Sequence, residues 1–164
     1  MILRAIAGLI RVDGSVEIGG RKMEPGEFPN DIGVLIEMPG FLPEFTGKKN
    51  LQLLGMLQEG VMEKDIDEAM TSVGLNPLDR RHYRKYSLGM KERLGIAQAI
   101  LKKPKLILLD EPTNGIDSDG IQMLKKLLLN LKKEGSTIVV ASHDREFLDA
   151  VTSQCYEMKE GQLL

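Results

Sequence analysis

The sequence has one cysteine, little excess of either charge, and no long apolar run. A single thiol, Cys155, can form no internal disulfide and no cysteine-based zinc site, so we expect a reducing compartment and a buried strand position for this residue. The 22 basic and 24 acidic residues give a net charge of −2, which argues against a protein that binds nucleic acid over its whole surface. No apolar run approaches the roughly 20 residues that span a bilayer. The apolar stretch 1–10 lacks the basic cluster and the cleavage site of a signal peptide.

The composition that remains is that of a globular domain. With 164 residues, 42% of them hydrophobic and 28% charged, the chain is long enough to bury a sizeable core. Apolar runs at 32–36, 106–109 and 137–141 predict buried strands, and segments with helical periodicity separate them. Strands that are apolar on both faces indicate a parallel sheet that helices cover on both sides. The predicted fold class is therefore α/β.

The middle third of the chain predicts helices only. Helical spacing follows residue 46, with Leu51, Leu54 and Leu57 on one face. A second helix over 65–73 is expected to stop at Gly74. This part of the chain is therefore a helical insertion between the predicted strands.

A basic stretch from Arg80 to Lys85, with His82 inside it, leads to the next predicted helix, which begins at Ser87. Such a stretch suggests a nucleic acid-binding surface in some proteins. The nearly balanced charge of this chain favours a solvated face of the helical insertion instead.

Two predicted strands end in polar residues. The strand over 106–109 runs into Asp110 and Glu111, and the strand over 137–141 leads to His143. Ligands bind at the carboxyl ends of strands in open parallel sheets. An acidic pair at this place suits a phosphate-bound Mg²⁺ and an attacking water molecule, although the pair alone could equally cap the next turn.

Further segments stand in a fixed order around the acidic pair. They are Tyr86–Met90, Leu106–Pro112, Asn114–Asp117 and Ala141–Asp144, and Glu37 follows the first apolar strand. In order and spacing they resemble the signature motif, Walker B segment, D-loop and switch-histidine segment of the nucleotide-binding subunits of ABC transporters. Glu37 stands where that family carries its Q-loop glutamine. The resemblance covers essentially the whole chain and implies a P-loop NTPase-like parallel sheet flanked by helices, with a helical insertion.

The resemblance implies roles at the acidic edge of the sheet. Asp110 and Glu37 would hold Mg²⁺. Glu111 would act on the attacking water, and His143 would stabilise the γ-phosphate of ATP. Hydrogen bonding to developing phosphate charge is the physical basis of the last role.

The resemblance also implies that two subunits share each ATP. Ser87, Leu88 and Gly89 would complete the ATP site of the opposite subunit, because a helix beginning exposes N–H groups that attract anions. Asp117 would link the two sites. As a helix N-cap, Ser87 would also stabilise its own helix.

Glu37 is a departure from the family pattern, because a carboxylate lacks the hydrogen-bond donor of glutamine. Together with the run Ile36–Phe41 and the signature segment, this departure looks like the branch associated with bacitracin- and lantibiotic-type export and immunity. In that branch such changes are ordinary, so we do not expect them to inactivate the site.

The larger departure concerns the Walker A loop, Gly-x-x-x-x-Gly-Lys-Ser/Thr, which does not occur in the 164 residues. Residues 1–10 resemble the helix that follows this loop, and no helix-start residue precedes them. We therefore expect a truncated subunit, with N-terminal strands and the P-loop missing, from a shortened gene or a misassigned start. By the resemblance, a missing strand would lie between the strands that end at Asp110 and lead to His143. Its loss would leave unpaired strand edges and an uncovered apolar face.

The implied organisation is one domain over 1–164, with an α/β core at 1–37 and 102–164 and a helical subdomain at 38–101. The implied partners are a second nucleotide-binding subunit, as a homo- or heterodimer, and transmembrane permease subunits. Nucleic acid is not expected. The implied location is cytoplasmic, peripheral on the inner face of the cell membrane. The family hydrolyses ATP, and this chain alone is expected to be inactive.

Two other functions stay open. The chain could be a non-catalytic interaction module that lends its signature face to an intact subunit, which the absent Walker A sequence favours. It could also be a soluble ABC ATPase that acts on nucleic acid or ribosomes. That class commonly carries tandem cassettes or long coiled-coil insertions, and this chain has neither.

Overall fold

A three-stranded parallel sheet lies at the centre of the chain, in the order β3-β4-β5. A computed structural model describes residues 2–37, 39–58, 60–159 and 162–163, so Met1, Met38 and Leu164, at the limits of the predicted segments, lie outside the described residues. The elements in chain order are α1 (Ile2–Ile6), β1 (Glu17–Ile18), β2 (Arg21–Lys22), β3 (Ile32–Leu35), α2 (Gly47–Gly55), α3 (Glu63–Ser72), a 3₁₀ turn (Tyr83–Lys85), α4 (Leu88–Ala99), β4 (Leu106–Asp110), α5 (Ser118–Lys133), β5 (Thr137–Ala141), α6 (Arg145–Val151), β6 (Met158–Lys159) and β7 (Gln162–Leu163).

Strand β4 occupies the middle of the sheet because its residues are apolar on both faces. Ile107, Leu108 and Leu109 are fully buried. The strand pairs in parallel with β3 on one side and with β5 on the other. The expectation of a strand between β4 and β5 is therefore wrong, because a continuous ladder from Leu106 to Asp110 joins these two strands directly.

The two faces of the sheet are covered to different degrees. One face, with Leu35, Ile107 and Leu109, joins the main core formed with helices α2 to α6. The other face packs against α1, and Val34 and Val139 on that face are only half-buried. The predicted cover on both sides is thus complete on one face and partial on the other.

Helix α1 ends earlier than the apolar spacing of residues 1–10 predicts. Gly8 has φ +72°, and Gly8 and Leu9 donate backbone hydrogen bonds to Ala5 and Arg4 at 3.0 and 2.9 Å. This pattern closes the helix with a left-handed glycine. A side chain at Gly8 would also collide with the carbonyl of Glu27.

A short antiparallel hairpin between β1 and β2 was not anticipated. The alternation over 16–18 predicts one short strand that ends at Gly19-Gly20, but these two glycines form the two-residue turn of the hairpin, and both have positive φ, +58° and +78°. Glycine favours such a turn because it adopts positive φ without strain. A second hairpin, β6-β7, was likewise missed near the end of the chain.

The helices of the insertion agree with the spacing, with one exception. Ile66, Met70 and Val73 are buried along or just after α3, and Gly74 with φ +73° follows it. Leu57, however, is 84% exposed. Helix α2 ends at Gly55, so Leu57 lies outside the helix and is not part of its apolar face.

Helix α4 carries a buried carboxyl group. Glu92 is 7% exposed, and no hydrogen bond or ion pair to its side chain occurs within the described parts of the chain. Burial raises the pKa of Glu92 to about 7. The neighbouring phenol of Tyr83 also has a raised pKa, first through burial and then through the charge of Glu92.

Two surface properties complete the fold. Cys155 is exposed and lies outside any strand, so the expectation of a buried strand position is wrong. No helix among residues 2–37, 39–58 and 60–159 is both long and apolar enough to cross a bilayer.

Candidate functional site

The polar residues that follow the three strands gather at one edge of the sheet. Because β3, β4 and β5 run in parallel, their carboxyl ends lie side by side, with Leu35 opposite Leu109 and Asp110 opposite Ala141. The chain leaves this edge through Glu37, Glu111 and His143 respectively. The sheet therefore places these residues at the position where open parallel sheets bind ligands.

Glu111 is the most constrained residue of this edge. It has φ +47°, an uncommon conformation for a residue with a side chain, and its N–H donates to the carbonyl of Ala141 at 2.8 Å. Its carboxylate accepts hydrogen bonds from the Ser142 hydroxyl at 3.2 Å and the His143 backbone N–H at 3.1 Å. The turn after β4 is thus fastened to the end of β5.

His143 lies against the same carboxylate. Its Nδ1 is 2.8 Å from Oε2 of Glu111, and its side chain is otherwise 80% exposed. The hydrogen bond to Glu111, and then the charge of that carboxylate, raise the pKa of His143. The pair places a carboxylate beside an imidazole, a combination suited to general acid–base chemistry.

Asp110 contrasts with its neighbour. It ends β4 with a half-buried side chain, and no hydrogen bond or ion pair to its carboxylate occurs in the described residues. An unengaged carboxylate at a strand end can bind a hard cation. No cluster of three His, Cys, Asp or Glu side chains suited to a metal is found in that part of the chain, so Asp110 has no ready-made set of protein ligands around it.

Glu37 is already engaged. It has φ +65°, and its carboxylate forms an ion pair with the guanidinium of Arg4 from α1. Both side chains are exposed to solvent. An exposed pair of this kind contributes little stability, so it can open when another cation competes for the carboxylate.

Ser87 lies at the beginning of α4, at the protein surface. Its hydroxyl accepts a hydrogen bond from the Met90 N–H at 3.2 Å, which makes it the N-cap of the helix. Ser87 is exposed and Leu88 is 57% exposed. The predicted surface position of this helix end is confirmed.

Gly89 brings the helix beginning against the segment Asn114–Asp117. A Cβ added at Gly89 would stand 2.5 Å from the carbonyl oxygen of Gly115, and one added at Gly115 would meet the side chain of Leu88 at 2.7 Å. Gly115 also has φ +70°. Only glycine fits this crossing, so the two predicted motif segments form one packed unit.

Asp117 strengthens the same contact. Its carboxylate accepts from Gly120 N–H at 3.3 Å as the N-cap of α5, and it pairs with Arg93 of α4 at 2.5 Å. A side chain at Gly120 would press against the Arg93 guanidinium. The predicted D-loop residue therefore holds α4 and α5 together within this chain.

Comparisons with known proteins agree with this geometry. The profile of the ABC transporter family matches residues 1–114, which is more than half of the chain. The chain belongs to the ABC transporter ATP-binding family. It is 39% identical over 165 residues to the ABC transporter ATP-binding protein YybJ of Bacillus subtilis, covering 99% of this chain and 76% of YybJ.

Other ABC relatives are named for the substrates of their transporters. The bacitracin transport ATP-binding protein BcrA of Enterococcus faecalis is 39% identical, over 93% of this chain and 50% of BcrA. The lantibiotic transport ATP-binding protein SrtF of Streptococcus pyogenes is 38% identical, over 87% of this chain and 62% of SrtF. The chain thus spans between half and two thirds of the length of these two relatives.

Solved structures confirm the ABC cassette fold. The dimeric ABC transporter cassette MJ0796 superposes with a TM-score of 0.79 at 25% identity, over 92% of this chain and 72% of MJ0796. A second structure of MJ0796, a dimer bound to ADP and Pi, gives a TM-score of 0.74 at 26% identity. The predicted P-loop NTPase-like fold is therefore confirmed.

Three polar partners in this ABC cassette were not anticipated as site residues. Ser142 lies between β5 and His143 as a hydroxyl that reaches Glu111, and its place at a strand end was the available signal. Arg93 is a cation about one and a half turns beyond the beginning of α4. Arg4 precedes Glu37 by 33 residues, so no local pattern links the two.

Proposed function

We propose that this chain is a fragment, without a Walker A sequence, of the ATP-binding and ATP-hydrolysing subunit of an ABC exporter for peptide antibiotics of the bacitracin or lantibiotic kind. The observation that carries the proposal is the contact of Glu111 with His143 and Ser142 at the ends of two paired parallel strands. The named substrates of BcrA and SrtF support the exporter class.

In the proposed reaction, the oxygen of a water molecule bonds to the γ-phosphorus of ATP while the bond from that phosphorus to the β–γ bridging oxygen breaks. The proton that the water loses passes to the Glu111 carboxylate. Three donors occupy this carboxylate in the structure. His143 is the donor with the most exposed side chain, so its ring is the group that swings away, and it then donates to the γ-phosphate.

The residues present fit a magnesium ion in part. Mg²⁺ keeps several water ligands and needs only one or two carboxylates beside the phosphates, and Asp110 has an unengaged carboxylate. Glu37 would join it after release from Arg4. The ion would supply charge neutralisation for the phosphate oxygens.

The proposal includes a dimer in which Ser87, Leu88 and Gly89 face the γ-phosphate of ATP bound to an opposite subunit. The exposed N-cap Ser87 and the exposed side chain of Leu88 at the beginning of α4 support this face. Asp117 lies beside the beginning of α4, because Gly115 packs against Leu88 and Arg93 of α4 pairs with Asp117. This position supports the proposed link between the two sites.

The remaining proposals concern organisation and place. We propose that 38–101 acts as the helical subdomain that contacts transmembrane permease subunits, with 1–37 and 102–164 as the α/β core. The location is then cytoplasmic and peripheral on the inner face of the cell membrane. Helices α2 to α4 all lie between β3 and β4 in sequence, which supports the division.

The first experiment measures binding of Mg-ATP to the chain by isothermal titration calorimetry. The Walker A lysine and backbone N–H groups bind phosphate, and hydrogen bonds to charged groups contribute about 1.5–3 kcal/mol each. Without three of them, we expect affinity at least about a thousandfold lower than for YybJ, since roughly 1.4 kcal/mol is a factor of ten. Micromolar affinity for the chain alone would contradict this account of the phosphate site.

The second experiment joins a Walker A loop with its preceding strand ahead of α1 and compares ATP hydrolysis with and without Glu111→Gln. We expect the substitution to abolish turnover and to leave ATP binding largely intact, because the carboxylate takes a proton and does not hold the nucleotide. Glu157→Gln, at an exposed residue far along the chain from the site, is the matched control. Unchanged turnover in the Glu111 variant would remove this residue from catalysis.

A second candidate is an interaction module that lends its signature face to an intact ABC subunit. The exposed beginning of α4 favours it, because this face needs no phosphate loop of its own. Mixing the chain with YybJ and measuring ATP hydrolysis separates the two candidates. The interaction module is supported if the chain stimulates ATP hydrolysis by YybJ, if Glu111→Gln in the chain leaves that stimulation unchanged, and if Ser87→Arg in the chain abolishes it.

A further inference from the structure

A cationic groove lies on the helical insertion. Its residues belong to a different segment of the chain from those at the carboxyl edge of the sheet. It is a surface concavity of about 440 Å³. Its lining consists of Asp79, Arg80, Arg81, His82, Arg84 and Lys85. Cations are concentrated there although the whole chain has a net charge of −2, and none of them has a role in the proposed binding or hydrolysis of ATP.

The backbone of the cationic groove is held in place by the core. Tyr83 N–H donates to the Phe45 carbonyl at 2.8 Å, and Arg84 N–H donates to the Pro43 carbonyl at 3.1 Å. Tyr83 and Tyr86 are buried, and the Tyr83 ring meets the Phe41 ring edge-on at 5.2 Å. The cations therefore project from a fixed segment, which lowers the entropy lost when they bind a ligand.

Two of the cations in the cationic groove are neutralised within the chain. Arg81 pairs with Asp79 at 2.7 Å, and Arg84 pairs with Glu44 at 3.0 Å. Arg80 and Lys85 are exposed, and neither side chain has a hydrogen bond or ion pair in the described part of the chain. These two positive charges are available to an anion.

Apolar side chains border the cationic groove. Leu78 is 80% exposed, and Leu42 and Phe45 are 48% and 40% exposed. Leu78 precedes Arg80 by two residues, and the segment with Leu42 and Phe45 is the one that hydrogen-bonds to Tyr83 and Arg84. Cations beside exposed apolar side chains are typical of surfaces that lie on an anionic bilayer.

We propose that the cationic groove binds the phosphate headgroups of anionic phospholipids at a membrane surface, with Arg80 and Lys85 on the phosphates and Leu78 at the acyl boundary. Free phosphate would use the same cations but not the apolar border. Nucleic acid would need a larger basic surface than this chain of net charge −2 provides. The inference is independent of ATP binding and hydrolysis.

The test measures sedimentation of the full 164-residue chain with vesicles of phosphatidylcholine alone or with about 30 mol% phosphatidylglycerol added. The salt concentration is about physiological, so that charges beyond a Debye length are screened. Each cation near an anionic surface contributes about fivefold to the partition coefficient. We therefore expect Arg80→Ser with Lys85→Ser to weaken binding to the anionic vesicles about 25-fold. The control pair Lys64→Ser with Lys126→Ser removes the same charge from exposed lysines elsewhere, and we expect it to change binding less than twofold.

Two further arms identify the ligand. Leu78→Ser is expected to weaken vesicle binding without altering its dependence on salt concentration, because it removes an apolar contact only. Competing inorganic phosphate or transfer RNA is expected to displace the chain no more than chloride at equal ionic strength. Three results would each overturn the proposal. They are equal binding to both kinds of vesicle, equal effects of the Arg80/Lys85 double substitution and the control double substitution, and displacement by phosphate or RNA. Thermal unfolding of each variant confirms that the surface substitutions leave the fold intact.

Discussion

Two glutamates in different regions of this ABC cassette have opposite surroundings. Glu111, at the carboxyl edge of the sheet, is partly exposed and accepts three hydrogen bonds from residues 142 and 143. Glu92, in helix α4, is buried, and no partner for it lies in the described residues. Donors stabilise the negative charge in the first case, and burial opposes it in the second.

The difference shows how each region keeps its shape. The sheet edge depends on pairing between strands that lie far apart in sequence, and Glu111 adds polar contacts to that pairing. The beginning of α4 depends on a local cap at Ser87 and on glycine contacts with Gly115. We therefore expect effects of different sizes from substitutions in the core strand, at the buried carboxyl group, at the helix cap and at the exposed ion pair.

The largest expected effect comes from a substitution in the buried core next to the carboxyl edge of the sheet. Leu109 is fully buried in β4 directly before Asp110, so Leu109→Ala removes core contacts and leaves a cavity. We expect the free energy of unfolding to fall by about 2–5 kcal/mol, as measured by urea denaturation. Leu129→Ala, at an exposed position of α5, is the control, and a loss below about 1 kcal/mol for Leu109→Ala would contradict the buried position.

The next effect concerns the buried carboxyl of α4. The pKa of Glu92 is raised from 4.5 to about 7, so the folded state holds its proton after the unfolded state has released it. Stability from this group is then present below pH 4.5 and is lost as pH rises to about 7, by about 3 kcal/mol in total.

Glu92→Gln removes that titration. We expect the free energy of unfolding of the variant, relative to the unsubstituted chain, to rise by about 3 kcal/mol between pH 4.5 and 7 and to stay level above that range. Chemical denaturation at a series of pH values measures it. Glu17→Gln, at an exposed residue of β1, provides the comparison, and parallel curves for the Glu92 variant and the unsubstituted chain would show that this carboxyl is not buried in the folded state.

A smaller effect tests the local cap. Ser87→Ala removes the acceptor for the Met90 N–H, and we expect a loss of about 1 kcal/mol in the free energy of unfolding. Ser87→Gly should cost only a few tenths of a kcal/mol, because glycine at an N-cap leaves the first N–H groups open to water. Equal losses for the two variants would show that the hydroxyl bond does not stabilise α4.

The smallest effect sharpens the description of the exposed pair. The carboxylate of Glu111 raises the pKa of His143 through their hydrogen bond and its charge, so Glu111→Gln should lower that pKa toward the ordinary histidine value. The pair's stabilising contribution is present below the ordinary histidine pKa and is lost as pH rises through the raised one.

Proton NMR titration of His143 measures the shift, and the signal of His82, which contacts neither residue, is the reference. An unchanged His143 titration in the Glu111 variant would mean that the two side chains do not meet in solution. A rise in the pKa of His143 in the variant would mean that Glu111 does not stabilise the protonated imidazole.

The strands and helices with strong local signals could be predicted from the sequence. Apolar runs predicted β3, β4 and β5, and Ser87 as a cap predicted the beginning of α4. The failures involve contacts between distant residues. The direct pairing of β4 with β5 depends on topology, Leu57 is exposed because α2 ends one turn early, and the Gly19-Gly20 turn depends on a second strand that is too short to show a period.

The candidate site divides in the same way. The strand-end residues Asp110, Glu111 and His143 could be identified because parallel strands gather their ends. Three side-chain contacts could not be assigned, since each depends on geometry across the fold: Ser142 with Glu111, Arg93 with Asp117, and Arg4 with Glu37. The ligand roles of Glu37, Asp110, Asp117 and the signature residues stay predictions until nucleotide binding is measured.

The exposed position of Cys155 sets a limit on the covalent chemistry of the purified protein. The chain has one cysteine, and its sulfur lies at the surface, 3.0 Å from the Thr152 hydroxyl. Air oxidation can therefore join two chains through one disulfide and can go no further, so every covalent species on a non-reducing gel is a monomer or a dimer. Any larger assembly of this chain must be held together by non-covalent contacts, and a reducing agent will not dissolve it.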